Sequence, residues 1–206
     1  MKPLNFLVTG VGGQGTVVAS DVLAAVGLAA GYDVKKSDVL GLAIRGGSVI
    51  SHVRWADRVE SPIIPEGHVD ILLAFEYLEA LRWLEQLGPG GTILVNEQRI
   101  FPVIVSSGRA EYPSIEACHR AMLDCTPNVY AVPGLEISQE IGNTKTLNIA
   151  LLGALSGLTE IDPEVWLSVI RDRVPKRTIA INETAFLRGR DALSASQLID
   201  TSEATA

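Results

Sequence analysis

Cysteine is scarce in this 206-residue chain: only Cys118 and Cys125 occur, seven positions apart. Two thiols exclude a disulfide framework and fall short of the cysteine set of an iron–sulfur cluster. Histidine is nearly as rare. His52, His68 and His119 stand singly, with no H-E-x-x-H pair and no cysteine pair at metal spacing, which argues against a zinc centre. Basic charge is in deficit. The 17 Lys and Arg against 24 Asp and Glu leave a net charge of −7, the wrong sign for a nucleic-acid binder. No apolar run approaches the roughly 20 residues of a membrane span, and the first residues read as a strand rather than a basic leader. A serine nucleophile elbow and a P-loop lysine are missing too. With 47% hydrophobic and 20% charged residues, the composition fits a cytoplasmic α/β protein of one domain, large enough for an ordinary core.

Glycine, by contrast, is concentrated where it matters. Leu4 to Thr9 is a short apolar run that ends at Gly10-Val11-Gly12-Gly13-Gln14-Gly15. From Gln14 to Ala30, Val18, Val22, Leu23 and Val26 recur at helical spacing, and Gly31 is a natural stop. Strand, glycine loop, helix is the opening unit of a Rossmann-like, doubly wound, mostly parallel sheet. Tyr32 to Ser37 reads as the next strand. Ser48 to Ala56 alternates with period two and one wetter face, which suits an antiparallel or edge position. Val69 to Phe75 is apolar throughout, as a central parallel strand buried on both faces should be. A helix over Glu76–Leu87, closed by Gly88-Pro89-Gly90, and strands at Thr92–Asn96, Pro102–Ser106 and Asn128–Val132 follow. Between the last two lies a helix over Ser114–Asp124 with Ser114 as N-cap.

The last third turns helical, with segments at Gly134–Ile141, Thr144–Leu158, Pro163–Val174 and Thr178–Arg188. Asp162 caps the third of these and Pro163 opens it. Residues 1–191 form the single domain, and the Ser/Thr/Ala-rich stretch 192–206 is expected to be a disordered tail. Thr144–Leu158 is apolar almost all round, so it is either a core helix or partly shared with a neighbouring chain. Glu76 and Glu79 read as a solvated helix start, and both cysteines as buried thiols.

Gly10, Gly12 and Gly15 match G-x-G-x-x-G in its proper strand-to-helix setting. Two readings stay open: backbone amides that cradle an anion, or a tight turn that needs glycine for geometry alone. As an NAD fingerprint the match is weak. Asp33 comes too early for a ribose acid, and Lys35-Lys36 suit an extra phosphate better. Arg45, followed by Gly46-Gly47 and Ser48, offers a guanidinium fork on a glycine-bearing loop for a phosphate or carboxylate, or is an exposed turn arginine.

Taken together, the stretch from Val8 through "GVGGQG", "GYDVKKS" and "IRGG" to Trp55, then "SPIIPEGHVDILLAFEYLEALR", then "NTKTLNIALLGALSGL", resembles one family. It is similar to the gamma-type domain of the 2-oxoacid:ferredoxin oxidoreductases, most of all in their indolepyruvate branch, over about Asn5 to Arg190. The resemblance implies a cluster-free subunit of a complex that converts an aryl-pyruvate-type 2-oxoacid and coenzyme A to acyl-CoA and CO2. It places thiamine diphosphate and the iron–sulfur clusters on a large, alpha-type partner subunit, with ferredoxin reached through the complex. No cofactor is expected on this chain alone beyond coenzyme A, and a homo-oligomer is expected when the chain is isolated. Coenzyme A phosphates would meet Gly10, Gly12, Gly13, Gln14, Gly15, Lys35, Lys36, Arg45, Gly46 and Gly47. The chain departs from the family in its R-G-G loop, with Leu42 and Ile44 where relatives usually carry methionine and glutamine. The alternatives are a free-standing NADP-dependent reductase, and a nucleotide- or coenzyme A-binding regulatory module. The reductase needs an acid/base residue beside the cofactor, and the sequence offers none.

Overall fold

The computed structural model describes residues 2–40 and 46–195. Six strands form one sheet in the order β2-β3-β1-β4-β5-β6. They are β1 (Leu4–Val11), β2 (Asp33–Leu40), β3 (Ser48–Ala56), β4 (Val69–Ala74), β5 (Leu87–Asn96) and β6 (Val129–Val132). β1, β4, β5 and β6 run parallel, and β3 lies antiparallel between β1 and β2. The alternation in β3 thus marks an antiparallel strand, but not an edge. β2 holds the edge, and β3 is an inner strand with Ser51 and His52 buried.

Among the described residues eight helices flank the sheet: α1 (Thr16–Ala29), α2 (Tyr77–Arg82), α3 (Val103–Ser106), α4 (Ile115–Cys125), α5 (Gly134–Glu140), α6 (Leu147–Ser156), α7 (Pro163–Arg173) and α8 (Ile179–Ala195). Period-two strands sort their side chains onto two cores. Phe6, Val8, Val53, Trp55, Leu73 and Leu94 face α1 and the α5–α8 group, while Leu7, Leu72, Ala74, Ile93 and Val95 face α2 and α4. The fold is therefore α/β and doubly wound, with the C-terminal helices gathered on one face.

Caps match the sequence where their chemistry is local. Ser114 accepts from the Ala117 N–H, and Asp162 accepts from the Glu164 N–H ahead of Pro163. Elsewhere tertiary packing decides. The helix expected over Glu76–Leu87 stops at Arg82 and ends in a 3-10 turn, Leu84–Gln86. Gly88 to Gly91 belong to β5, which passes so close to β4 that a side chain at Gly91 would sit 2.9 Å from the Val69 carbonyl oxygen. Pro102–Ser106 is not a strand: Val103–Ser106 is one helical turn with Val103 and Ile104 exposed. The last helix runs through Ala195 rather than stopping at Arg188. Cys118 is buried as expected, whereas Cys125 is exposed at the end of α4.

The largest revision concerns the apolar helix of the last third. All ten residues of α6 are buried within this chain, against α8, α5 and α1. Its all-round apolar character is that of a central core helix and calls for no neighbour. No helix among the described residues is long and apolar enough to cross a membrane.

Candidate functional site

The site grows from the carboxyl ends of β1 and β4. β1 feeds α1 on one face of the sheet, and β4 feeds α2 on the other. Neighbouring strands whose connections leave in opposite directions open a crevice beyond their ends, and ligands of open α/β sheets bind there. The glycine loop occupies this position.

Hydrogen bonds join the two glycine motifs. The Gly12 N–H donates to the Gly47 carbonyl at 2.8 Å, and the Gly46 N–H donates to the Gly12 carbonyl at 3.3 Å. These bonds extend the β1–β3 ladder one step past Val11 and Ser48. The spacing of the motifs in sequence thus has a structural cause, since the second lies on the β2–β3 hairpin loop that closes over the first. Arg45 itself, with Leu42 and Ile44, lies outside the described residues.

Gln14 turns inward. Its Oε1 accepts the Val11 N–H at 2.7 Å, and its Nε2 lies 2.9 Å from the Phe75 carbonyl and 3.0 Å from Gln98 Oε1. Its own N–H donates to the Val11 carbonyl. Three loop amides, at Val11, Gly12 and Gln14, are therefore already engaged. Gly13, at φ +110°, has nothing within 4 Å of where a side chain would stand, so the loop is open there. Gly15, at φ +86°, leads into α1, where the first N–H groups have no intrahelical acceptor. Gly10 is closed in, because a Cβ there would meet Phe75 Cβ and Thr16 Oγ1 at 2.8 Å. Thr16 Oγ1 is buried and finds no partner among the described residues.

Beside the loop lies a cavity of about 200 Å³, lined by Val11, Gly46, Ser48, Glu79, Arg82 and the 100–103 segment among others. Two carboxylates that the sequence suggested were solvated stand buried on its wall. Glu79 Oε2 accepts from Ser48 Oγ at 2.5 Å and from Thr9 Oγ1 at 3.3 Å, while Oε1 lies 3.2 Å from Arg82 Nε. Burial pushes the Glu79 carboxyl above its ordinary value, against the lowering effect of the Ser48 bond. Glu76 caps α2 by accepting the Glu79 N–H, and also takes the Ile100 N–H and the Tyr112 hydroxyl. Burial first, then the bond to Glu76, drives the Tyr112 hydroxyl far above its normal range. These groups can hold a proton and bind hydrogen-bond donors. The signal for them was available: "FEYLE" follows directly on a fully apolar strand, at the end where such sheets bind ligands.

The two lysines are not brought to this place. Register sets Lys35 against Arg54 and Asn5, and Lys36 against Val53 and Phe6. Both are thus four or five residues, about 13–16 Å along the strands, from the level of Gly10. Lys36 lies between Asp21 and Asp38 at 2.5 and 3.0 Å, and Lys35 lies 3.6 Å from Asp33.

A family model described as pyruvate ferredoxin/flavodoxin oxidoreductase matches residues 5–192. The chain belongs to that family. It is 39% identical over 192 residues to the indolepyruvate oxidoreductase subunit IorB of Thermococcus kodakarensis, covering 92% of this chain and 95% of that relative. Its fold is shared with the gamma subunit of a keto/oxoacid ferredoxin oxidoreductase from Geobacter sulfurreducens (TM-score 0.69, 23% identity, 93% and 99% of the two chains). The 2-oxoglutarate:ferredoxin oxidoreductase from Magnetococcus marinus, solved with 2-oxoglutarate, coenzyme A and succinyl-CoA, contains the same fold (TM-score 0.73, 22% identity). There the match covers 98% of this chain but only 32% of the Magnetococcus chain. Membership of the oxidoreductase family does not favour the free-standing reductase.

Among the described residues no group of three or more His, Cys, Asp or Glu could hold a metal ion. His52 accepts the Ile64 N–H inside β3, and His119 meets the Tyr77 hydroxyl. Burial lowers the pKa of both rings.

Proposed function

We infer that this chain is the cluster-free subunit of a 2-oxoacid:ferredoxin oxidoreductase acting on an aryl pyruvate of the indolepyruvate type. The single observation that carries the reading is the 39% identity to an indolepyruvate oxidoreductase subunit along more than nine-tenths of both chains. Decarboxylation of a 2-oxoacid with electron transfer needs thiamine diphosphate and iron–sulfur clusters, which belong on a large partner subunit. Two cysteines in the whole chain do not supply a cluster.

Coenzyme A is the ligand that this chain would meet. Gly13 and the first turn of α1 are the groups left open to a phosphate, since the amides of Val11, Gly12 and Gln14 are taken. Arg45, next in sequence to Gly46, would add a guanidinium. Lys35 and Lys36 would take no part. Coenzyme A supplies the thiol that receives the acyl group; this chain's residues hold and screen the approach.

The partner subunit would seat on the face next to the glycine loop. Phe101, Val103 and Ile104 are 52%, 84% and 55% exposed, and Phe101 and Val103 line the same cavity as Val11 and Gly46. An apolar patch continuous with the site suits a partner that shares it.

Coexpression with an alpha-type large subunit from the same genome tests the reading. The purified complex should reduce ferredoxin in the presence of indolepyruvate and coenzyme A, and neither chain should do so alone. Turnover by the isolated chain, or a complex that oxidises no 2-oxoacid, would overturn it.

A further inference from the structure

A second, larger groove of about 490 Å³ shares no lining residue with the cavity at Glu79. It opens between α1, the start of α6 and the α7–α8 connection. Val18, Val22, Ile149 and Val174 give it an apolar wall. Its polar wall is cationic: Lys145 stands ahead of α6, Arg173 ends α7, and Arg177 stands on the connection to α8.

These three cations are unusual in a chain of net charge −7. Among the described residues none of them pairs with a carboxylate, whereas nearby Arg171 is clamped by Glu164 and Glu183. Two buried asparagines, each 7% exposed, are also part of the lining. Asn182 is tied to the Thr178 carbonyl through its Nδ2. Asn148 uses its Oδ1 on the Ile149 N–H at 3.0 Å, which leaves its amide hydrogens as donors beside the groove.

The volume is that of a small-molecule site, and its lining pairs an apolar wall with three cations. A single carboxylate would leave most of that positive charge unmatched. A phosphate monoester, with close to two negative charges and three acceptor oxygens, matches two arginine forks and an ammonium far better. We propose that this groove binds a phosphate monoester with an apolar or aromatic body, beside the start of α1 and apart from the cavity at Glu79. The phosphate lies among Lys145, Arg173 and Arg177, and the body lies on Val18, Val22 and Ile149. This does not rest on the coenzyme A reading, because its test ligand carries neither pantetheine nor adenine.

Phenyl phosphate is the probe, titrated into the full chain and followed by amide NMR shifts and calorimetry. Saturable binding is expected, with shifts confined to α1 around Val18 and Val22, the start of α6, the end of α7 and the turn into α8. R173Q/R177Q should weaken it by about tenfold or more. The control K35Q/R58Q, which removes the same charge elsewhere, should leave it within about twofold, since distant surface charges are screened. All four positions are exposed or partly so, and the folded state of each variant is checked by circular dichroism. The proposal fails if phenyl phosphate does not saturate, or if phenol binds equally well. It also fails if R173Q/R177Q keeps the parent affinity, or if the control loses as much.

Discussion

The Gln14 amide joins three strand ends. It takes the Val11 N–H of β1, gives its hydrogens to the Phe75 carbonyl after β4, and reaches Gln98 just beyond β5. Asn96 extends the set, donating to the same Phe75 and Gln98 oxygens and accepting the Gly134 N–H that opens α5. A side chain that the sequence suggests for a ligand is thus spent on holding the crevice open. Gln14→Glu separates the two roles. The new carboxylate still accepts from Val11 but faces the Phe75 carbonyl and Gln98 Oε1 with no hydrogen to give. It should destabilise the chain by about 1–3 kcal/mol in urea unfolding, because two hydrogen bonds are lost and a carboxylate is set against two carbonyl oxygens. A variant as stable as the parent would mean that the brace is loose. At this scale the sequence was half legible. Glycines announce themselves because only glycine fits φ values such as those of Gly13 and Gly15. The burial of Glu76 and Glu79 was hidden, because it depends on Thr9, Ser48, Ile100 and Tyr112, which arrive from distant parts of the chain.

Elements were most legible where a local signal sufficed. Period two marked β3, continuous apolarity marked β4, and a capping side chain with proline marked α7. They were least legible where another element decides the outcome, as with the single turn at α3 or the shared-surface reading of α6. What makes α6 a core helix is its contact with α8. A Cβ at Gly153 would lie 2.0 Å from the Phe186 carbonyl oxygen, and one at Gly189 would lie 1.8 Å from that of Ala150. The two backbones therefore touch, with a glycine from each helix making the approach possible. Gly189→Ala cannot be absorbed by a side-chain shift, since the obstacle is backbone. It should cost about 3 kcal/mol or more, at the top of the range for overpacked cores. Ala180→Gly, on the exposed side of the same helix, should cost only about 1 kcal/mol. Urea unfolding of both variants measures the contrast. A Gly189→Ala chain within about 1 kcal/mol of the parent would show that the helices pack less closely.

For the molecule as a whole, the two-sided winding puts the glycine loop, the buried carboxylates and the exposed apolar patch at one end of the sheet. α6 lies inside the fold and is closed to a partner, so a docking surface has to come from elsewhere. The segment 101–104 offers one, because α3 is a single turn that leaves Val103 84% exposed beside the cavity. Val103→Asp tests this directly. The residue is on the surface, so the stability of the isolated chain should change by no more than about 0.5 kcal/mol. At a desolvated partner interface the same carboxylate would be buried without a counter-charge, which is costly. The variant should therefore fold normally yet fail to co-purify with the large subunit, and indolepyruvate-dependent ferredoxin reduction should fall with the amount of complex formed. Co-purification at the parent's stoichiometry, with undiminished turnover, would place the partner on another face. Loss of turnover in a complex that still assembles would instead assign Val103 to the site itself, since it lines the cavity beside Glu79.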